Sequence, residues 1–520
     1  MEVPAATSLM EIYPEDAVPS EKQRWELLLS EFEQKYEQPA GFVARSPGRV
    51  NIIGEHIDYS LYEVFPMAVT ADVLLAVTVR PSTEPPRIRI ANANKEKFPE
   101  RNFEIPPEGE IPIDASSLEW SNYFKCGLRA ASKLLQQKRD AGDSFVSIGM
   151  DVLVDGNVPA GAGLSSSAAF VCSSALAVMK ANGEDKIDKK ELTELAIVSE
   201  RAVGVNSGGM DQSASVFALR GSALYVSFVP ELSVRPVQIP RTDPEMTFVV
   251  AHSFVTSNKQ ESGPVCYNLR VVECTMAAAL LAKVVRLKSP LPKDSSPLGT
   301  SLRGFHDTFF MENEGVADNS KTPVAEFEKQ LEKLVQLTED YLIQEEGYTR
   351  EQLCDLLGMS IEQLHDRFLS SLLVRAEFFK LRQRALHVFG EAIRVIKFMS
   401  LLASAGPEES NKLLEELGGL MNQTQDSCRD IYECSCPELD ELCFLARSAG
   451  ACGSRLTGAG WGGCSVHLVP KDKVEAVKDS WINEYYKKRW PDITDERLKE
   501  AIVVSKPGSG SYIFKNVGVL

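Results

Sequence analysis

Short apolar runs broken by Gly, Pro and Asp mark residues 41–80: GFVAR, VNIIG and DVLLAVTVR have the spacing of strands joined by turns. Residues 147–154 (SIGMDVLV) predict another strand, a glycine-rich turn follows, and the Ala-rich stretch from Ser166 to Lys180 predicts a helix. Over 189–203 (KKELTELAIVSERAV) the apolar period becomes helical. Leu192, Ala196 and Glu200 are four apart and share one face, so a carboxylate stands in line with an inward stripe. Strands are predicted again at 223–228 and 247–251, helices at 324–346, 374–404 and 411–422, and further strands over 451–470 and 501–514. Ser289 to Lys321, rich in Pro, Ser, Asn and Gly, reads as a long loop or insertion.

The pattern describes an α/β first half and an α+β second half, without a repeat of fixed period. The chain has 520 residues, and single cores stop growing at about 250–300 residues, so two large domains are expected. The boundaries read as an N-terminal extension over 1–40, an α/β domain over 41–245 and an α+β domain over 246–520 with the insertion near 289–321.

A content of 44% hydrophobic and 25% charged residues suits ordinary globular burial. The net charge of −17 and pI near 5.1 repel nucleic-acid phosphates, so any phosphate must be met by a local site. That balance also weighs against DNA binding by 348–368 (YTREQLCDLLGMSIEQLHDRF), which has the look of a helix-turn-helix; two packed amphipathic helices are the plain alternative. The basic run Lys487–Lys488–Arg489 reads as solvated surface. The N-terminal stretch has acidic residues and no apolar core of a signal peptide, and no apolar run approaches the ~18 residues that span a bilayer, so a cytoplasmic protein is expected. The 11 cysteines lack the spacing of a disulfide framework, and Cys428, Cys434 and Cys436 lack the second pair or histidines of a zinc site.

Three glycine-bearing motifs carry the candidate chemistry. In PGRVNIIGEHIDY (Pro47–Tyr59), Arg49, Asn51, Glu55, His56 and Asp58 crowd around Gly48 and Gly54 after a predicted strand. Closely spaced Glu, His and Asp suit a ligand with many hydroxyls, through directed, charge-assisted hydrogen bonds; a solvated, capped turn would have the same composition. GNVPAGAGLSSSAAF (Gly156–Phe170) lies between a strand and a helix. Gly161 and Gly163 let the backbone approach a ligand, and the serines open a helix whose free amides and positive end attract phosphate. The chain has no G-x-x-x-x-G-K-[ST] sequence, which argues against a P-loop NTPase. In GSRLTGAGWGGC (Gly453–Cys464), Gly458, Gly460 and Gly463 match G-x-G-x-x-G, but CSVHLV after them reads as a strand, not the helix of a dinucleotide site. A turn packed beside the phosphate loop and a purely structural hairpin both remain open.

In this order the motifs resemble those of galactokinases in the GHMP kinase superfamily, GRVNIIGEHIDY most of all, and the similarity covers about residues 40–514. EWSNYFKCG, SGGMDQSAS, YNLRVVE and YECSCPELD look most like fungal galactokinases. The resemblance implies a two-domain GHMP kinase fold, an N-terminal α/β domain and a C-terminal ferredoxin-like α+β domain, with the site in the cleft between them. It implies transfer of the γ-phosphate of ATP to the C1 hydroxyl of galactose. Arg49 and Asp211 match the catalytic pair, and with them Glu55, His56, Asp58, Gly208 and Tyr267 match positions that hold the sugar. Gly161, Gly163, Ser165 and Ser166 would surround the ATP phosphates, Ser167 and Glu200 would hold Mg²⁺, and Trp120 with Ser257, Asn258 and Lys259 would lie near the nucleotide. An exposed Glu200 beside Arg201 is the alternative for that residue. Two other functions fit the same resemblance: an N-acetylgalactosamine kinase, and a bifunctional or purely regulatory galactose and ATP sensor that binds a transcriptional repressor. The regulators without catalysis lack a Ser-Ala pair that this chain keeps in Ser165, Ser166, Ser167 and Ala168, which favours an enzyme.

Overall fold

The computed structural model describes residues 1–520 except 81–84, 107–110, 115–118, 140–144, 160, 162, 204–207, 257–262, 405–409, 516 and 520. A seven-stranded sheet runs in the order Ala5–Ala6, Tyr512–Phe514, Phe42–Ile53, Phe65–Val79, Met150–Gly156, Arg87–Asn92, Arg101–Glu104. The strand Phe42–Ile53 is buried along its whole length, and its register against Phe65–Val79 shifts between Pro47 and Arg49 and between Asn51 and Ile53. Such bulges re-aim side chains. Here they fall on the first polar motif.

Period-two alternation gives this sheet two covered faces. Ala44, Val73, Leu75, Val152 and Val154 face the main core, where the helices Ser166–Ala181 and Met210–Phe217 pack. Val43, Leu74, Ala76 and Leu153 point the other way, onto Trp25, Leu28, Phe32 and Tyr36 of the helix Val18–Tyr36. Residues 1–40 are therefore a layer of the sheet domain, not an appendage to it. Tyr13, Arg24, Arg45 and Asp72 tie that layer down: the Asp72 carboxylate accepts from Tyr13 Oη at 2.6 Å, Arg45 Nε at 2.5 Å and Arg24 Nη1 at 2.7 Å.

A second, four-stranded antiparallel sheet has the order Gly453–Thr457, Cys464–Pro470, Met246–His252, Ile502–Ser505. Numbered along the chain this is 2-3-1-4, the ferredoxin-like arrangement. Its first crossover holds the helices Tyr267–Val284, Leu381–Ser404, Ser410–Asp426 and Pro437–Ser448.

The structure departs from the sequence reading in several places. The stretch 289–321 contains the helix Leu302–Glu314, capped by Ser301 Oγ at its start and by Gly315 at its end, with Leu302, Phe305 and Phe310 buried. Its Pro-, Ser- and Gly-rich flanks conceal it in the composition. The last strand, Tyr512–Phe514, leaves the domain begun at residue 246 and pairs with Phe42–Ile53 and Ala5–Ala6. The helix expected over 374–404 begins only at Leu381. Residues 348–368 include the short helices Arg350–Leu357 and Ile361–Leu364, which pack on each other, the first also beside Tyr267–Val284. The cysteines are free thiols, and among the described residues no group of three or more His, Cys, Asp or Glu could hold a metal. No described helix is long and apolar enough to cross a membrane.

Candidate active site

Arg49 stands where the two halves meet. Its backbone N–H donates to Leu164 O at 3.0 Å, which docks the strand on the phosphate loop. Its guanidinium donates from Nε and Nη2 to Asp211 Oδ1 at 2.8 and 2.7 Å, and from Nη1 to the carbonyl of Gly163 at 2.5 Å. One cation thus touches the carboxylate at the start of the helix Met210–Phe217 and the backbone of the anion cradle.

Asp58 lies against the same helix start, accepting the Met210 N–H at 3.5 Å. Gly208 permits this approach: a Cβ there would fall 2.5 Å from Asp58 C and Tyr59 N. Burial first, and then the charge of Asp211, push the Asp58 carboxyl up to about 6. Tyr267 opens the helix Tyr267–Val284 beside them. Its hydroxyl is raised well above the usual range by burial and then by the charges of Asp58, Asp211 and Glu55, so it shares their pocket. Glu55 is buried and accepts from Arg455 Nη2 and from the Gly458 N–H at 3.0 Å.

His56 is held between the first and third motifs. Its Nε2–H donates to the carbonyl of Ala459 at 2.9 Å and its Nδ1 pairs with Tyr59 Oη at 3.0 Å, while Tyr267, Tyr432 and Trp461 pack around the ring. Both ring nitrogens are engaged within the protein. The imidazole bridges the first and third motifs.

In the phosphate loop Gly161, Gly163 and Ser165 have φ of +74°, +76° and +58°, a left-handed run that ends at the helix Ser166–Ala181. The Ser165 hydroxyl is buried and has no hydrogen-bond partner among the described residues. Ser166 and Ser167 are half-buried at the helix start. A Cβ on Gly163 would meet Thr457 O at 2.8 Å, and one on Gly458 would meet Gly163 O at 2.5 Å. The third motif is therefore packed against the cradle, which resolves the two readings open from sequence.

Glu200, at the end of the helix Lys189–Glu200, is buried, so it is not a surface glutamate. It accepts from Gln212 Nε2, one residue beyond Asp211. Its charge adds to burial in raising the thiols of Cys126 and Cys172. Its helix packs against Ser166–Ala181, which carries Ser167. A carboxylate and a hydroxyl are hard oxygen donors, a set that fits Mg²⁺. Trp120 stacks on Phe170, with centroids 6.0 Å apart and planes 10° apart, on the helix that follows the cradle. Ser257, Asn258 and Lys259 lie outside the described residues.

Several residues of the site carry no signal of their own in the sequence. Arg455 and Thr457 grip the first motif, through Arg455 Nη1 to Asn51 O at 2.9 Å and the Asn51 N–H to Thr457 Oγ1 at 2.9 Å. Both lie in the third motif, so the motif was visible and the partnership was not. His387 and Glu391 are hidden inside a long helical pattern.

A cradle for anions and an Arg–Asp pair in the cleft of this two-domain fold define a GHMP kinase, an ATP-dependent class. Family models agree, with "GHMP kinases N terminal domain" matching residues 122–218 and "GHMP kinases C terminal" residues 408–488. "Galactokinase galactose-binding signature" matches residues 30–79. The chain is 42% identical to the galactokinase of Saccharomyces cerevisiae over 94% of each chain, and 42% identical to that of Candida parapsilosis over 95% of each. The crystal structure of Lactococcus lactis galactokinase complexed with galactose shares the fold at a TM-score of 0.62 and 23% identity, covering 94% of this chain and 98% of that one. The chain belongs to the galactokinase family.

Proposed function

We propose that this chain transfers the γ-phosphoryl group of ATP to the C1 hydroxyl of galactose, giving galactose 1-phosphate and ADP. The observation that carries the reading is the double engagement of Arg49, with Asp211 on one side and Gly163 O on the other. It puts one guanidinium between an acidic pocket and a phosphate cradle, where phosphoryl transfer needs positive charge and alignment.

In this reading Glu55 and Asp58 accept hydrogen bonds from sugar hydroxyls, and Tyr267 closes the pocket beside them. Gly208 lets the Asp58 turn and the Asp211 helix start come together. Asp211 orients the C1 hydroxyl and receives its proton as the new O–P bond forms and the bond to the β,γ-bridging oxygen breaks. Arg49 pairs with the Asp211 carboxylate and lies against the moving phosphoryl group. The amides of Gly161, Gly163, Ser165 and Ser166 and the positive end of the helix Ser166–Ala181 hold the phosphates, and the buried Ser165 hydroxyl gains a partner there. Ser167 and Glu200 would hold Mg²⁺, which when bound offsets phosphate charge. Trp120 provides an aromatic face for the nucleotide.

An ATP-consumption assay across galactose, N-acetylgalactosamine, mevalonate and homoserine tests the reading. ADP formation that depends on galactose is expected. Preference for N-acetylgalactosamine would change the named substrate, and turnover only of a non-sugar would overturn the proposal.

A further inference from the structure

One stripe of the helix Leu381–Ser404 faces the backbone of the sugar turn. His387, Glu391 and Val395 are four apart, and each meets Gly54 or Glu55. His387 Nε2 donates to Glu55 O at 3.0 Å, because a carbonyl can only accept; its Nδ1 therefore accepts from Ser427 Oγ at 2.8 Å. Burial keeps this imidazole neutral at ordinary pH, with its pKa near 3. Glu391, fully buried, accepts the N–H groups of Gly54 and Glu55 on Oε1 at 2.8 and 3.1 Å. On Oε2 it accepts from Arg394 Nε at 2.7 Å and Thr424 Oγ1 at 2.8 Å. Gly54 has φ +100°, and a Cβ on it would meet Val395 Cγ2 at 3.1 Å.

We infer that His387 and Glu391 are positioning residues for the sugar site: the helix grips the Gly54–Glu55 dipeptide through its two N–H groups and the Glu55 C=O, and so aims the Glu55 carboxylate. The inference rests on the sugar-kinase reading above. Its physical content is the satisfaction of a left-handed turn. Neighbouring N–H groups that converge in such a turn need an anion or strong acceptor, and here it is the Oε1 of a residue more than 300 positions away in sequence. Donors converge on both oxygens of Glu391, so an amide in its place would set an NH₂ against N–H groups whichever way it flipped.

The test compares Glu391→Gln, His387→Phe and His387→Gln with the natural chain, each checked for a folded thermal transition. Glu391→Gln and His387→Phe are expected to raise the sugar KM about tenfold while leaving the ATP KM within about twofold, the cost of misplacing one binding group by less than 1 Å. His387→Gln, whose side-chain amide can still donate to Glu55 O, is expected to recover most of the loss. Amide hydrogen exchange at Gly54 and Glu55 gives a readout independent of substrate and is expected to quicken in the first two variants. A lowered Tm with unchanged sugar KM and unchanged exchange would overturn the clamp. If His387→Phe does not fold, Glu391→Gln decides alone by the same criteria. A natural chain inert towards galactose would reject the proposed function, and the exchange result would still accept or overturn the clamp.

Discussion

The phosphate cradle and the sugar turn hold comparable ligands by different means. The cradle is one contiguous strand, loop and helix, from Met150 to Ala181, whose left-handed residues and free amides are consequences of its own Gly and Ser content. The sugar turn, Gly54 to Asp58, is short and polar, and nearly everything that shapes it comes from elsewhere: Gly208 beneath Asp58, Arg455 and Gly458 on Glu55, Ala459 on His56, His387 and Glu391 on the backbone. A phosphate can be caught by local backbone geometry because amides and a helix end supply the charge. A sugar has to be met by several side chains aimed at separate hydroxyls, and only a closed tertiary shell holds them still.

If the two sites are distinct parts joined at Arg49, the largest effect belongs to the joint. Arg49→Ala and Asp211→Ala should keep a folded thermal transition and lower kcat/KM for the sugar by about 10³-fold or more, since each removes charge stabilisation or alignment needed during transfer. Turnover near the natural rate in either variant would dissolve the joint. Next come the glycines that separate the parts. Gly208→Ala forces a Cβ into the Asp58 backbone and should raise the sugar KM; Gly163→Ala, at φ +76° and 2.8 Å from Thr457 O, should raise the ATP KM. Each should cost about 1–3 kcal/mol of stability, read from denaturant midpoints. The same defect in both KM values for either change would blur the comparison.

A smaller effect separates the sites by pH. The Asp58 carboxyl, lifted from its ordinary 3.8 to about 6, is ionised at pH 7 and takes up a proton as the pH falls through about 6. A protonated Asp58 loses an acceptor for sugar hydroxyls, so the sugar KM should climb on the acid side of about 6 while the ATP KM stays level, and Asp58→Asn should flatten that rise. The sign for stability is opposite. Because the folded pKa lies above the unfolded one, the group favours folding at the acid end and ceases to do so as pH rises through the same window. Last, Trp120→Ala should weaken ATP binding only a few-fold, in line with the ~0.5–1.5 kcal/mol of an aromatic pair, and leave the sugar KM unchanged.

Legibility followed the same division. The strand–loop–helix around Ser165 could be read directly because an apolar strand run, a glycine-rich turn and an Ala-rich run follow one another, and Glu200 stood out by its place on an apolar stripe. The helix Leu302–Glu314 could not, since its Pro- and Ser-rich flanks dominated the window. His56 is the instructive residue. Its type and neighbours point to sugar recognition, while the partner of its Nε2, Ala459, lies 403 positions further along, a partnership no local pattern contains.

By itself the amino-acid sequence determined the anion cradle, the polar cluster after the first long strand, the α/β and α+β halves, and through the order of its motifs the family resemblance. These depend on residue type and short-range spacing, which the chain states directly. Tertiary structure alone decided that Arg49 joins Asp211 to Gly163, that the last strand returns to the first sheet, and that one helix of the second domain grips the backbone of the sugar turn. Such pairings join residues far apart along the chain, and they are set by packing and by the need of each buried donor and acceptor for a partner.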